Sequence, residues 1–134
     1  MKPSGQRDPR QRSGEQRRQA LDRGRLAETL AVWLLRLKGY RILARDLRLG
    51  VGEIDILARR GRVLAAIEVK RREDLAQAGE AVTARQRARV TRALERVLAE
   101  RPALAGLDLR FDAILVVPGR WPRHLPDAWR PEAR

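Results

Sequence analysis

Apolar positions along this chain follow two kinds of spacing. From Leu21 to Lys38 they recur every three or four residues, at Leu26, Leu30, Trp33, Leu34 and Leu37. That spacing predicts an amphipathic helix with those side chains as its core stripe and Gly39 as its C-cap. Glu28 lies on the far side of the stripe, with Ala31, Val32 and Leu35 as same-face neighbours. Tyr40 to Leu49 then reads as a strand, with Ile42 and Ala44 turned inward. Two runs rich in aliphatic residues, from Gly52 and up to Lys70, flank a polar break containing Gly61, which predicts a β-hairpin. With Arg60-Gly61 as a two-residue loop, Arg59 faces Arg62, Asp55 opposes Ala66 and Glu53 opposes Glu68. Asp55 and Glu68 then become diagonal neighbours on one face, with Cβ atoms roughly 7–8 Å apart. A three-residue loop would instead put the two carboxylates on opposite faces.

The helical period returns after Thr83, where Thr83 and Gln86 fit a capping box. Val90, Ala93, Leu94, Val97 and Leu98 form the apolar side of this second helix, which ends near Arg101 because Pro102 follows. Leu109 to Val117 is a last, largely buried strand, and its one acid, Asp112, reads as structural, paired with a nearby arginine. The order is α-β-β-β-α-β, a mixed sheet with helices against it, in the α/β (or α+β) class. Residues 21–117 make up this domain. Residues 1–20 hold only Met1 and Ala20 as apolar side chains and read as a disordered basic arm, either inert or in non-specific contact with phosphates. Residues 118–134 read as a tail packed on the core. Trp121 and Trp129 either pack there or stack on bases.

Charge narrows the function classes. The 134 residues carry 30 basic and 17 acidic side chains, a formal charge of +13. So basic a balance implies a polyanionic partner, nucleic acid above all, with an anionic membrane surface as the other candidate. No apolar run reaches the length of a membrane span, and no secretory h-region opens the chain, so a cytoplasmic protein is expected. The absence of cysteine rules out disulfides and thiolate metal sites, and a single histidine, His124, disfavours a histidine-based zinc centre. Oxygen-ligated metal chemistry is what remains.

Asp55 and Glu68 sit inside an otherwise apolar hairpin, where ionised groups are costly unless they are paired or bind a metal. Two carboxylates at the predicted separation suit one hard cation, Mg²⁺ or Mn²⁺. Lys70 shares the face of Glu68 and is one of only three lysines (Lys2, Lys38, Lys70) in a strongly Arg-rich chain. A compact ammonium there suits a phosphate or an activated water; the competing reading is an ordinary strand ion pair. Arg45 and Arg48 are placed to flank such a site, and Arg71 and Arg72 lead into a polar loop through Gly79, either a contact for substrate phosphates or a plain connection. Arg85, Arg89, Arg92 and Arg96 form a one-sign stripe on the second helix, either a solvated face or a grip on phosphates.

Gly52-Glu53-Ile54-Asp55-Ile56-Leu57-Ala58, followed by Ile67-Glu68-Val69-Lys70-Arg71-Arg72, resembles the core of the bacterial UPF0102 (YraN-like) family. That family is similar in fold to Holliday-junction resolvases and other PD-(D/E)XK nucleases. The resemblance runs from about Gly24 to Val117. It implies a restriction-endonuclease-like αβββαβ core and a metal-dependent endonuclease site of Asp55, Glu68 and Lys70. It also implies that Glu28 completes the metal ligands and that Glu53 and Gln86 support them. Departures stand at Ala27, where the family commonly has Gly, at Ala84, where it tends to have Pro, and at Gln86, where a lysine is common. A homodimer, as in resolvase-like nucleases, follows by analogy. A non-catalytic nucleic-acid-binding module on the same fold is the alternative, and a protein-binding scaffold is a third.

Overall fold

The computed structural model describes residues 9–73 and 82–131. Its elements are α1 (Pro9–Leu37), β1 (Arg41–Leu49), β2 (Gly52–Arg60), β3 (Val63–Arg71), α2 (Ala84–Glu100), a 3₁₀ turn (Pro102–Leu104), β4 (Asp108–Val116) and β5 (Arg123–Trp129). The five strands lie in one sheet in chain order, β1-β2-β3-β4-β5. All neighbours are antiparallel except β3 and β4, which run parallel because the chain crosses between them through α2. The αβββαβ core expected from the sequence is therefore present in an α+β arrangement.

Helices cover both faces of the sheet. On the α2 side Ile54, Leu57, Leu64 and Ala66 pack with Val90, Leu94, Val97, Phe111 and Trp129. On the α1 side Ile56, Ala58, Ala65 and Ile67 pack with Ala27, Ala31, Val32 and Leu35. A strand buried on both faces needs apolar side chains in succession, which is why Val63–Ile67 lacks polar alternation.

Four details differ from the sequence reading. First, α1 packs through Ala27, Ala31, Val32 and Leu35, while Leu26, Leu30, Trp33 and Leu37 of the expected core stripe point outward. Small side chains let the helix approach the sheet closely, so the narrow face wins over the bulky one. Second, α1 begins at Pro9 rather than Leu21, so the part of the basic arm from residue 9 onward is helical; residues 1–8 lie outside the described residues. Proline is suited to a first turn, and the Arg, Gln, Glu and Ala that follow are good helix formers without any apolar face. Third, the hairpin closes at Arg60↔Val63, so the loop is Gly61-Arg62 rather than Arg60-Gly61. Gly61 occupies the left-handed region at φ 60°, which a glycine adopts without strain. The loop keeps two residues, but every partner shifts by two residues: Ala66 faces Leu57, not Asp55. Fourth, the tail contains a strand. β5 pairs with β4 at the sheet edge, where Pro126 is tolerated because no further strand needs its missing N–H. Trp129 is buried on Phe111 with ring centroids 4.3 Å apart, whereas Trp121 is exposed.

Candidate functional site

The site forms where β2 and β3 part. Strand residues two apart normally share a face, yet Ile54 packs on the α2 side and Ile56 on the α1 side. The alternation slips at Asp55. The regular ladder between the two strands ends at Ile56↔Ile67; followed one step further, its register brings Asp55 level with Glu68. The carboxylate of Asp55 substitutes for the ladder there, its Oδ2 accepting the Val69 N–H at 2.8 Å. Gly52 sets the approach of α2 to the same strand end, since a Cβ at this position would lie 1.9 Å from the Arg89 carbonyl oxygen. Any side chain would force the helix away.

Asp55 opens onto a cleft of about 280 Å³ whose walls include Glu28, Asp46, Arg48, Val69 and Arg71. Burial pushes its carboxyl up, and the neighbouring charge of Glu68 adds to this. The Val69 N–H works in the opposite direction, Glu28 and Glu53 contribute further repulsion, and the outcome is a pKa of about 7. Three other carboxylates thus act on Asp55 at this end of the sheet. Glu68 and Lys70 form a largely buried ion pair at 3.3 Å, their side chains 14% and 9% exposed. Glu28, on α1, accepts from Arg45 Nε at 3.2 Å, and Arg45 also donates to the Thr29 hydroxyl. Among the described residues Asp55 is in no ion pair, although Arg25, Arg48 and Arg71 line the same cleft.

The other candidates are less concentrated. Glu53 faces Arg89 at 3.6 Å and is half exposed. Gln86 is spent on the α2 cap: its side-chain oxygen accepts the Thr83 N–H while Thr83 Oγ1 accepts the Gln86 N–H, the capping box read from the sequence. Arg85, Arg89, Arg92 and Arg96 all point outward from α2. Arg92 donates to the Val51 carbonyl and Arg96 to Glu100, so the stripe partly fastens α2 to the β1–β2 turn. Arg71 lines the acidic cleft and reaches Glu73 at 3.4 Å. Arg72 follows β3, its backbone N–H bonded to Val116. The polar loop expected after it falls at residues 74–81, outside the described residues.

Asp46 and Arg25 line the cleft without having been singled out from the sequence. No signal marks a charged residue in so charged a chain, although Asp46 has a positive φ of 45°, unusual for a side chain other than glycine. Asp112 is structural, as its pattern implied. Its carboxylate is fully buried and accepts from Arg110, His124 Nε2 and the Asp127 N–H at 2.8–2.9 Å. Burial alone would raise its pKa, but those donors outweigh it and hold the group at about 2.

The donor set for a metal is all oxygen. Asp55 feels the charge of Glu68, but Glu68 is paired with Lys70 and is not among the residues lining the Asp55 cleft, where Val69 and Arg71 stand on the strand's other face. The carboxylates themselves are of the kind that suits a hard divalent cation keeping most of its water. Among the described residues no three Asp, Glu or His side chains gather tightly enough to enclose an ion by themselves. Among those residues, too, no helix is long and apolar enough to cross a membrane.

Comparison with known proteins points one way. The model of the uncharacterised protein family UPF0102 matches residues 27–116, a span that includes Glu28, Asp55, Glu68 and Lys70. A UPF0102 protein of Parvibaculum lavamentivorans is 58% identical over 81% of each chain. One from Methylorubrum extorquens is 52% identical over 89% of this chain and 93% of its own. A third, from Paramagnetospirillum magneticum, is 54% identical over 81% of this chain and 87% of its own.

Proposed function

The chain belongs to the UPF0102 family, and on that premise we propose that it is a cytoplasmic, nuclease-like protein that binds nucleic acid, DNA in preference to RNA, and hydrolyses phosphodiester bonds with Mg²⁺ or Mn²⁺. The observation that carries the proposal is Asp55: a carboxylate held at a break in the ladder, crowded by other carboxylates and in no ion pair among the described residues. Asp55 and Glu68 would hold the ion, and Glu28 would join them on release from Arg45. When bound, the ion supplies Lewis acidity that lowers the pKa of water and offsets charge on the scissile phosphate. The chain's own residues do the rest. The Val69 N–H fixes which way the Asp55 carboxylate points. Lys70, its stem buried and its ammonium beside Glu68, is positioned to donate to a phosphate oxygen as charge grows there. Arg48 and Arg71 at the cleft rim, with Arg45, Arg72 and the α2 arginines further out, supply sequence-independent attraction for the phosphate backbone.

The same reading includes a homodimer. The outward α1 stripe of Leu26, Leu30, Trp33 and Leu37 repeats at intervals of four, three and four, the spacing of a helix-helix seam that a second copy can match.

The test is cleavage. Labelled branched, single-stranded and duplex DNA are incubated with Mg²⁺ or Mn²⁺ and either wild type or Asp55→Asn. Cutting by wild type alone is expected. Binding by both proteins with cutting by neither would instead establish the second reading, a non-catalytic nucleic-acid-binding module. That reading draws on the pairing of Glu28 with Arg45 and of Glu68 with Lys70, which neutralises two of the acids internally.

A further inference from the structure

Trp121 is 82% exposed, the most exposed large apolar side chain among the described residues, and nothing among them stacks on its ring. Trp129, eight positions on, shows the alternative fate of a tryptophan in this tail: it is buried against Phe111. A ring this exposed adds nothing to the core and is open to a ligand.

Its location bears on which ligand that is. Trp121 lies in the connection between β4 and β5, which begins just beyond the pair Arg71↔Val116. That is the end of the sheet to which β3 delivers Glu68 and Lys70, and from which β2 departs with Asp55. The connection is displaced from β3 by one to two strand spacings, about 5–10 Å sideways. It is also stiff. Pro118 and Pro122 bracket it, Gly119 turns it at φ 75°, and the Arg120 N–H closes it on the Val117 carbonyl at 3.1 Å. Arg120 and Arg123, both exposed, flank Trp121 in the sequence. An exposed aromatic ring with exposed arginines one and two positions away in the chain offers the two elements that hold unpaired nucleotides: a π surface for the base and cations for the backbone.

We infer that Trp121 is a stacking platform for an unpaired base, and that the preferred substrate is nucleic acid with single-stranded nucleotides next to the bond at the acidic cleft, not continuous duplex. The inference rests on the nucleic-acid reading above and narrows it. Base stacking on a protein ring discriminates by roughly ten-fold or more per base and needs no particular sequence, whereas bases within a duplex are already stacked on each other and do not offer a free face.

The test measures binding in EDTA, where cutting cannot interfere, with fluorescein-labelled oligo(dT) and a labelled blunt duplex as probes. Trp121→Ala is expected to weaken oligo(dT) binding about ten-fold or more while leaving duplex affinity within two-fold. Trp121→Phe is expected to keep most of the single-strand affinity, and the thermal midpoints of all three proteins should coincide because the side chain is exposed. Equal losses on both probes, or no loss on either, with wild type binding normally, would overturn the stacking role and leave the nucleic-acid reading standing. Failure of wild type to bind either probe at moderate salt would overturn both. A parallel arm uses phosphatidylserine vesicles. Vesicle binding that disappears in Trp121→Ala, with oligo(dT) affinity unchanged, would assign the ring to a membrane surface and reject a base platform.

Discussion

At the scale of single residues, Asp55 is the informative one. Its pKa rises from 3.8 to about 7 on folding, so the folded state holds the proton more tightly than the unfolded chain does. Stability from this group is therefore fully present below about pH 4 and lost as pH rises through 7. Asp55→Asn keeps an oxygen to accept the Val69 N–H but carries no charge. We predict that it is more stable than wild type at pH 8, by on the order of 2 kcal/mol, and that the gain shrinks toward zero as pH falls to 4. Urea denaturation of both proteins across that range checks the sign; an Asn variant less stable than wild type at pH 8 would mean the carboxylate is not under electrostatic strain. The shared face of Glu68 and Lys70, which the structure joins in an ion pair at 3.3 Å, was legible from strand alternation. The slip in alternation at Asp55 was not, because it arises where β2 leaves its partner, and periodicity assumes a partner throughout.

At the scale of elements, the lesson concerns α1. Its circumference is apolar on two sides, Leu26/Leu30/Trp33/Leu37 and Ala27/Ala31/Val32/Leu35, and spacing cannot choose between them. Bulk favours the first, but a sheet packed closely beneath the helix accepts the second. Leu35→Ala is expected to cost about 2–5 kcal/mol, as truncation in a filled core does. Leu30→Glu, on the outward face, should change stability by less than about 0.5 kcal/mol while shifting sedimentation from dimer to monomer. A large loss of stability for Leu30→Glu would show that the bulky face is internal after all. The hairpin and the α2 cap were readable because their signals are local: two-residue alternation around a glycine, and Thr83 facing Gln86. β5 was hidden by its composition. Pro126 argues against a strand in general and permits one only at an edge, a fact about neighbours that the segment itself does not carry.

At the scale of the whole molecule, charge and topology converge on one end of the sheet. A chain of formal charge +13 gathers carboxylates at the start of β2 and the end of β3 and sets arginines around them. Asp112, buried at the other side of β4, shows what an internal acid looks like when the fold completes its pairing: three kinds of donor and a pKa of about 2. Asp55 is the opposite case, and the difference between the two is the basis for expecting an ion from outside. Calorimetric titration of Mn²⁺ into wild type and Asp55→Asn at pH 6.5, in two buffers of different ionisation enthalpy, tests this most directly. Wild type is predicted to bind saturably with release of protons, because a carboxyl protonated near neutrality must ionise to become a ligand, and the Asn variant to lose both the binding and the proton release. Identical heats from the two proteins, or no binding by either, would contradict the assignment of this end of the sheet as a cation site.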